Sequence, residues 1–274
     1  MSRARKLCPF CGNTSGFRSK EHVFPDWLLR HLAVSNEITQ VSELLPDGKL
    51  VAEAVETSSY SLESKRVMTF DNFRSGYICD ECNHGWMSSL EGRAKPVLQA
   101  LIEKKRHPKD LQSDEKKLLA KWATKTAIVI DSVDPSEQRG PICGDPRAVR
   151  EAESAPEGWA VFYRYHDESR PLSYRSYSTW CLDGTPSEEL KLALGRSRKT
   201  SIQMGPLIVC TVFLSEPKLG IVAVKGEHNV LATTLPLKWV NISVGKWLAV
   251  ADLPDTASEN VQNRFADGLT VRPR

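Results

Sequence analysis

No apolar run in this 274-residue chain approaches the roughly 20 residues that a membrane-spanning helix needs, so a helical membrane protein is excluded. There is no internal repeat and no low-complexity tract, which removes solenoid, fibrous and disordered architectures. The basic start, Met1-Ser2-Arg3-Ala4-Arg5-Lys6, leads into Cys8 rather than an apolar stretch and does not read as a secretory signal; a cytoplasmic protein is expected. Charge of one sign is scarce too: the formal net charge is only +3. What surplus there is lies near the amino terminus, where Arg3, Arg5, Lys6, Arg18, Lys20 and Arg30 face only Glu21 and Asp26, a balance suited to a polyanion. The remainder is ordinary globular composition, 41% hydrophobic and 26% charged, long enough for two units, expected at residues 1–105 and 106–274.

Seven cysteines are present, but not in the pattern of a disulfide framework. Four form two Cys-x-x-Cys pairs, Cys8/Cys11 and Cys79/Cys82, and Cys143, Cys181 and Cys210 are scattered in apolar surroundings as expected core thiols. Two thiolates on one tight turn can grip one ion, and two such turns complete a tetrahedral zinc site. Glu21-His22 follows the first pair and Asn83 follows the second directly. Oxygen and nitrogen donors of that kind suit a harder cation and proton transfer, chemistry that a structural zinc does not need.

Cys-x-x-Cys, an acidic residue with histidine, then Cys-x-x-Cys-Asn resembles the HNH (ββα-metal) endonuclease superfamily, in its zinc-stapled branch. The strings Glu21-His22-Val23-Phe24-Pro25 and Cys79-Asp80-Glu81-Cys82-Asn83-His84-Gly85-Trp86-Met87 carry the likeness, which covers about residues 8–92. The resemblance implies a treble-clef-like ββα-metal nuclease domain with structural zinc on Cys8, Cys11, Cys79 and Cys82. His22 would be the general base, and Glu21 and Asn83 would hold one Mg²⁺ or Mn²⁺ against the scissile phosphate. The family often has aspartate where Glu21 stands, and its central asparagine has no unique match here; Asn72 or a backbone carbonyl would then orient His22.

Bland readings stay beside the catalytic one. Asn83 also suits a helix cap, Glu91 either an extra ligand or a salt bridge, and Trp27 and Trp86 core packing rather than base stacking. Arg18, Lys20, Arg74, His84 and Arg93 are the candidate nucleic-acid contacts, with DNA the expected partner. The alternative to an endonuclease is a non-catalytic zinc-stabilised nucleic-acid-binding or adaptor protein. Residues 106–274 match no catalytic motif and could serve substrate choice, a protein partner, homo-oligomer formation or regulation.

The expected fold is α+β. A short helix is expected over residues 26–32, a hairpin between 38 and 78 turning at Pro46-Asp47-Gly48, and a helix over 83–101 broken or kinked at Pro96. The apolar period of residues 113–131 predicts an amphipathic helix, and Asp145-Pro146 and Thr185-Pro186 predict two helix starts. Strands are expected at 159–165, 172–182, 202–214, 219–224 and 247–250, forming a mainly antiparallel sheet.

Overall fold

The structure is a computed structural model, and it describes residues 7–13, 19, 21–34, 37–44, 61–69, 73–133, 144–177, 181–182, 197–215, 220–223, 229–233 and 269–272. The chain is α+β. Strand β1 (Glu21–His22) pairs antiparallel with β4 (Arg74–Ser75), Glu21 opposite Ser75 and His22 opposite Arg74. Backbone bonds extend the pairing at both ends: Val23 N–H donates to Phe73 O at 3.1 Å and Ser19 N–H to Ile78 O at 3.0 Å. Helix α1 (Asp26–His31) follows β1 with Leu28 buried, and β2 (Glu37–Leu44) pairs antiparallel with β3 (Ser61–Thr69). The hairpin turn expected at Pro46-Asp47-Gly48 lies outside the described residues.

A helical run then starts at the second cysteine pair: the turn α2 (Asp80–Cys82), a π-helical segment at Asn83–Met87, and α3 (Ser88–Ile102). The kink expected at Pro96 is instead at Gly85, whose φ of −87° and ψ of −111° depart from the helix. Pro96 sits inside α3 on its exposed side and does not interrupt it. The lost N–H bond there costs least because water can reach the freed carbonyl.

Helix α4 (Ser113–Val133) is the central element. Its periodic positions Leu118, Leu119, Trp122 and Val129 are buried as the sequence period demands, and so are the polar Thr124, Lys125 and Thr126 between them. It is therefore covered on more than one side, by α3, by β4 and by a sheet of β5 (Trp159–Tyr177), β7 (Arg198–Phe213) and β9 (Asn229–Thr233) in the order β7-β5-β9. That sheet is antiparallel throughout. The two strands expected at 159–165 and 172–182 are one long β5 with irregular register between Tyr165 and Leu172, where Arg170 faces Gly205 at a φ of +56°. A glycine lets β7 take that left-handed conformation without a Cβ clash.

Helix α5 (Pro146–Glu151) starts where Asp145-Pro146 predicts, with the Asp145 carboxylate accepting from Arg147 N–H at 2.9 Å. A second sheet joins β6 (Cys181–Leu182), β10 (Leu269–Arg272) and β8 (Gly220–Ala223); β10 runs parallel to β6 and antiparallel to β8. Strands β9 and β10 have no counterpart in the sequence expectations. The helix start at Thr185-Pro186 and the strand at 247–250 lie outside the described residues. Cys210 is a buried free thiol as expected, while Cys143 lies outside the described residues.

Buried residues from Cys8 and Phe10 through Leu98 and Trp122 to Met204 and Val209 form one continuous cluster. Phe24, Phe73 and Tyr174 of β5 pack together, with the Phe73 and Tyr174 rings stacked at 5.3 Å, so the β1–β4 pair is pinned to the large sheet. Among the described residues no helix is long and apolar enough to cross a membrane.

Candidate metal centre and flanking site

The sulfurs of Cys8, Cys11, Cys79 and Cys82 all lie within 4.8 Å of one another, and Cys11 Sγ is 3.6 Å from Cys79 Sγ. Four metal–sulfur bonds of about 2.3 Å in a tetrahedron put their sulfurs about 3.8 Å apart, so this donor set fits one ion held by all four. The same ligand type at the same spacing is found in structural rather than catalytic sites, because no coordination position is left open.

Local backbone chemistry shapes both turns. In the first, Gly12 N–H donates to Cys8 O at 2.8 Å and Asn13 N–H points at Cys11 Sγ at 3.5 Å. Gly12 has a φ of +74°, the left-handed region that glycine enters without a Cβ clash, while the Arg147 guanidinium of α5 that a Cβ would meet is the end of a flexible side chain and can move away. In the second, Cys82 N–H donates to Cys79 Sγ at 3.4 Å and Asn83 N–H to Cys79 O at 3.1 Å. N–H groups aimed at sulfur favour thiolates.

The thiols respond unequally. Burial pushes Cys8 up, but backbone N–H groups of Cys79, Phe10 and Cys11 outweigh it and hold Cys8 below the usual thiol range. Burial pushes Cys79 up, and pushes Cys82 up further with the help of the Cys8 charge, against which the Trp86 indole acts. Four sulfurs this close cannot all ionise against one another; a cation among them removes the repulsion. Trp86 packs edge-on against Phe10 at 5.3 Å, with Lys121 Nζ of α4 5.5 Å from its ring, so it ties the cysteine turns to the helices.

His22 stands on β1, fixed opposite Arg74 by the strand register. Its Nδ1 is 3.9 Å from the Asp26 carboxylate at the start of α1, and its Nε2 is buried with no hydrogen-bond partner among the described residues. Glu21 has its backbone in the same strand; its side chain lies outside what the structure describes. Asn83 is half-buried, at the C-cap of α2 and the first residue of the π segment, so its position is set by the second cysteine turn. The cysteine cluster joins the turn that precedes β1 to the turn that carries Asn83, and β1–β4 pairing delivers the chain from one to the other.

The candidate phosphate contacts do not converge equally. Arg18 and Lys20 lie outside the described residues; Asn72, the candidate for orienting His22, does too. Arg74 is half-buried on β4, and His84 is exposed with its Nδ1 2.9 Å from the Asp80 carboxylate one turn back. Arg93 is exposed on α3 and lines a cleft of about 550 Å³ with Trp86, Lys117 and Lys121 between α3, α4 and α5. Lys121 is committed within that cleft: it donates to Arg150 O at 3.0 Å and Ala152 O at 2.5 Å, closing the carboxyl end of α5. Burial, with the Arg93 charge, lowers its pKa below the usual lysine range.

Glu91 is no ligand. It accepts a 2.6 Å bond from Lys125 of α4, a lysine whose side chain has no solvent exposure. The sequence favours a salt bridge for Glu91, to Arg93 or another base; the base is Lys125, on a different helix. Asp26 escaped notice as well, although four residues after a histidine across a Pro-initiated helix start is a spacing that brings two side chains together.

Comparison with known proteins gives no matching family model, no matching curated protein and no matching solved structure.

Proposed function

We propose that the chain is a metal-dependent HNH-type endonuclease that hydrolyses phosphodiester bonds, with DNA as its substrate. The observation that carries this reading is His22 Nε2, a basic atom withdrawn from water with no hydrogen-bond partner among the described residues, on a strand delivered by one cysteine turn to the neighbourhood of the other. An unpaired buried polar atom costs about 1–3 kcal/mol. A polar group brought by substrate would relieve that cost.

Cys8, Cys11, Cys79 and Cys82 would hold zinc as a structural ion, the metal for which four thiolates in a closed tetrahedron are best suited. Glu21 and Asn83 would hold Mg²⁺ or Mn²⁺, which when bound supplies charge neutralisation at the scissile phosphate. His22 Nε2 takes a proton from the attacking water as its oxygen bonds to phosphorus. The bond to the 3′ oxygen breaks, that oxygen takes a proton from solvent, and the products carry a 5′-phosphate and a 3′-hydroxyl. Arg93 and Arg74, with Arg18, Lys20 and His84, would meet neighbouring phosphates, and residues 106–274 would govern substrate choice, a partner or activation. A cytoplasmic setting accords with free thiols rather than disulfides.

Incubation of the zinc-loaded protein with supercoiled plasmid and Mg²⁺ or Mn²⁺ tests the reading. Nicking should occur and should fall at least about a hundredfold in His22→Ala, the usual scale for a general base. A wild type that binds DNA but never nicks it with any divalent ion leaves only the non-catalytic nucleic-acid-binding protein.

A further inference from the structure

We infer that Asp26 is the positioning residue for His22: its carboxylate holds the proton on Nδ1 and so leaves the Nε2 lone pair free to act as base. The inference rests on the endonuclease reading for its consequence, though not for the contact itself.

Three observations meet here. Asp26 Oδ1 is 3.9 Å from His22 Nδ1, a separation that a small side-chain rotation closes to a hydrogen bond, and sites of this kind tighten when substrate arrives. Among the described residues, the opposite ring nitrogen, Nε2, is buried and has no partner to claim its proton or its lone pair. Between the two residues the chain has no freedom: Val23 and Phe24 are buried, Phe24 is packed on Phe73 and Tyr174, and Pro25 O accepts the first α1 bonds from Leu28 and Leu29 N–H. Both side chains thus project from anchored backbone.

The chemical consequence follows from the two nitrogens of imidazole. A neutral ring in water favours the proton on Nε2, which would spend the very lone pair a base needs. A carboxylate facing Nδ1 reverses that preference. Among the described residues, Arg74 stands opposite His22 in register on β4, and a cation cannot accept the Nδ1 proton; the carboxylate that the structure sets against Nδ1 is that of Asp26. It also fills the place for which the sequence offered only Asn72 or a backbone carbonyl. A purely structural account exists: Asp26 is the acid in the first turn of α1, favourable to the helix dipole. That account predicts no effect on His22.

The test uses the full zinc-loaded chain labelled with ¹⁵N-histidine, with the His22 signals assigned by their loss in His22→Gln. Long-range ¹H–¹⁵N correlation should show wild-type His22 with its proton on Nδ1, Asp26→Ala with the proton moved to Nε2, and Asp26→Glu close to wild type. In plasmid nicking, Asp26→Ala should lower kcat about tenfold at unchanged KM, the low end for a residue orienting a catalytic group, with Asp26→Glu restoring most of it. A wild-type ring protonated on Nε2, or an Asp26→Ala variant with unchanged tautomer and kcat, overturns the inference. A wild type that holds the Nδ1 proton yet never nicks removes the endonuclease reading while the Asp26 contact stands.

Discussion

The cysteine-cluster region and the helix-and-sheet region of this molecule share one apolar core and differ in what is added to it. Around Cys8, Cys11, Cys79 and Cys82 there are strands of only two residues and tight turns, and the four donors add a candidate metal site to the packing of the buried Phe10, Phe24, Phe73 and Ile78. Around α4 apolar packing stands without such a donor cluster among the described residues: Trp122, Ile128, Trp159, Phe162 and Leu207 are buried almost completely, and the fold there follows from removing apolar surface from water. The difference teaches that the donor cluster, not unsatisfied polarity, sets the first region apart: buried polar atoms without a hydrogen-bond partner among the described residues occur in both, His22 Nε2 in one and Trp122 Nε1 and Thr124 Oγ1 in the other. The helix-and-sheet region pairs other buried polar groups: Lys125 with Glu91 at 2.6 Å, and Ser75 Oγ with Ser132 Oγ at 2.8 Å, the latter joining β4 to α4.

Removal of the metal is the largest perturbation of this contrast. Zinc binding contributes on the order of 10 kcal/mol or more in zinc-finger peptides, so chelation, or Cys82→Ser, should abolish amide protection across residues 19–23 and 73–87. Hydrogen exchange should still find residues 118–130 and 202–212 protected. Loss of protection in both regions at once would break the comparison and show that the ion supports the whole chain.

Trp122→Ala addresses the other side. A fully buried tryptophan truncated to alanine costs about 3–5 kcal/mol, and denaturant unfolding should show a loss of that size while the protein retains stoichiometric zinc. A loss of zinc in this variant under native conditions would blur the division instead.

Breaking the Lys125–Glu91 pair should come close behind. Glu91→Ala leaves a lysine ammonium buried without its carboxylate, at a cost of about 3 kcal/mol, whereas the double change Glu91→Leu with Lys125→Met should recover most of that loss. Thermal unfolding of both variants decides the point: equal destabilisation would mean that the pair is not simply a satisfied charge.

The smallest effect expected is at Glu115, where Arg106, donating a bond of 2.6 Å, holds the carboxyl below the usual carboxylate range, aided by Gln112 N–H. A depressed folded value means that this contribution is complete above the ordinary carboxylate pKa and fades as pH falls through the lower folded one. Glu115→Gln should therefore cost under about 1 kcal/mol at neutral pH and nothing in strong acid, a difference that Tm measured against pH will show. An undiminished effect in acid would point to packing rather than charge.

The sequence was informative wherever a property belonged to neighbouring residues. The period of α4, the Asp145-Pro146 start of α5, the short helix after Pro25 and the cysteine turns with their glycine all arise from spacing within a few residues, and all are found. It was less informative about breaks. Pro96 looked like the place for a kink, but its exposed side tolerates proline, and the departure is at Gly85 behind the second cysteine turn. Strands β9 and β10 have too little alternation to announce themselves, since their pairing partners lie far along the chain.

By itself, then, the sequence determined the donors: four thiols at paired spacing, a histidine beside an acid, and an asparagine locked to the last cysteine, each fixed by covalent neighbourhood. Only the tertiary structure decided which of these meet. It drew the four sulfurs within 4.8 Å, took Glu91 away to Lys125, set Asp26 against His22 Nδ1 and, among the described residues, left Nε2 without a partner. Those outcomes depend on strand register, helix packing and burial across long separations in the chain, and no local pattern encodes them.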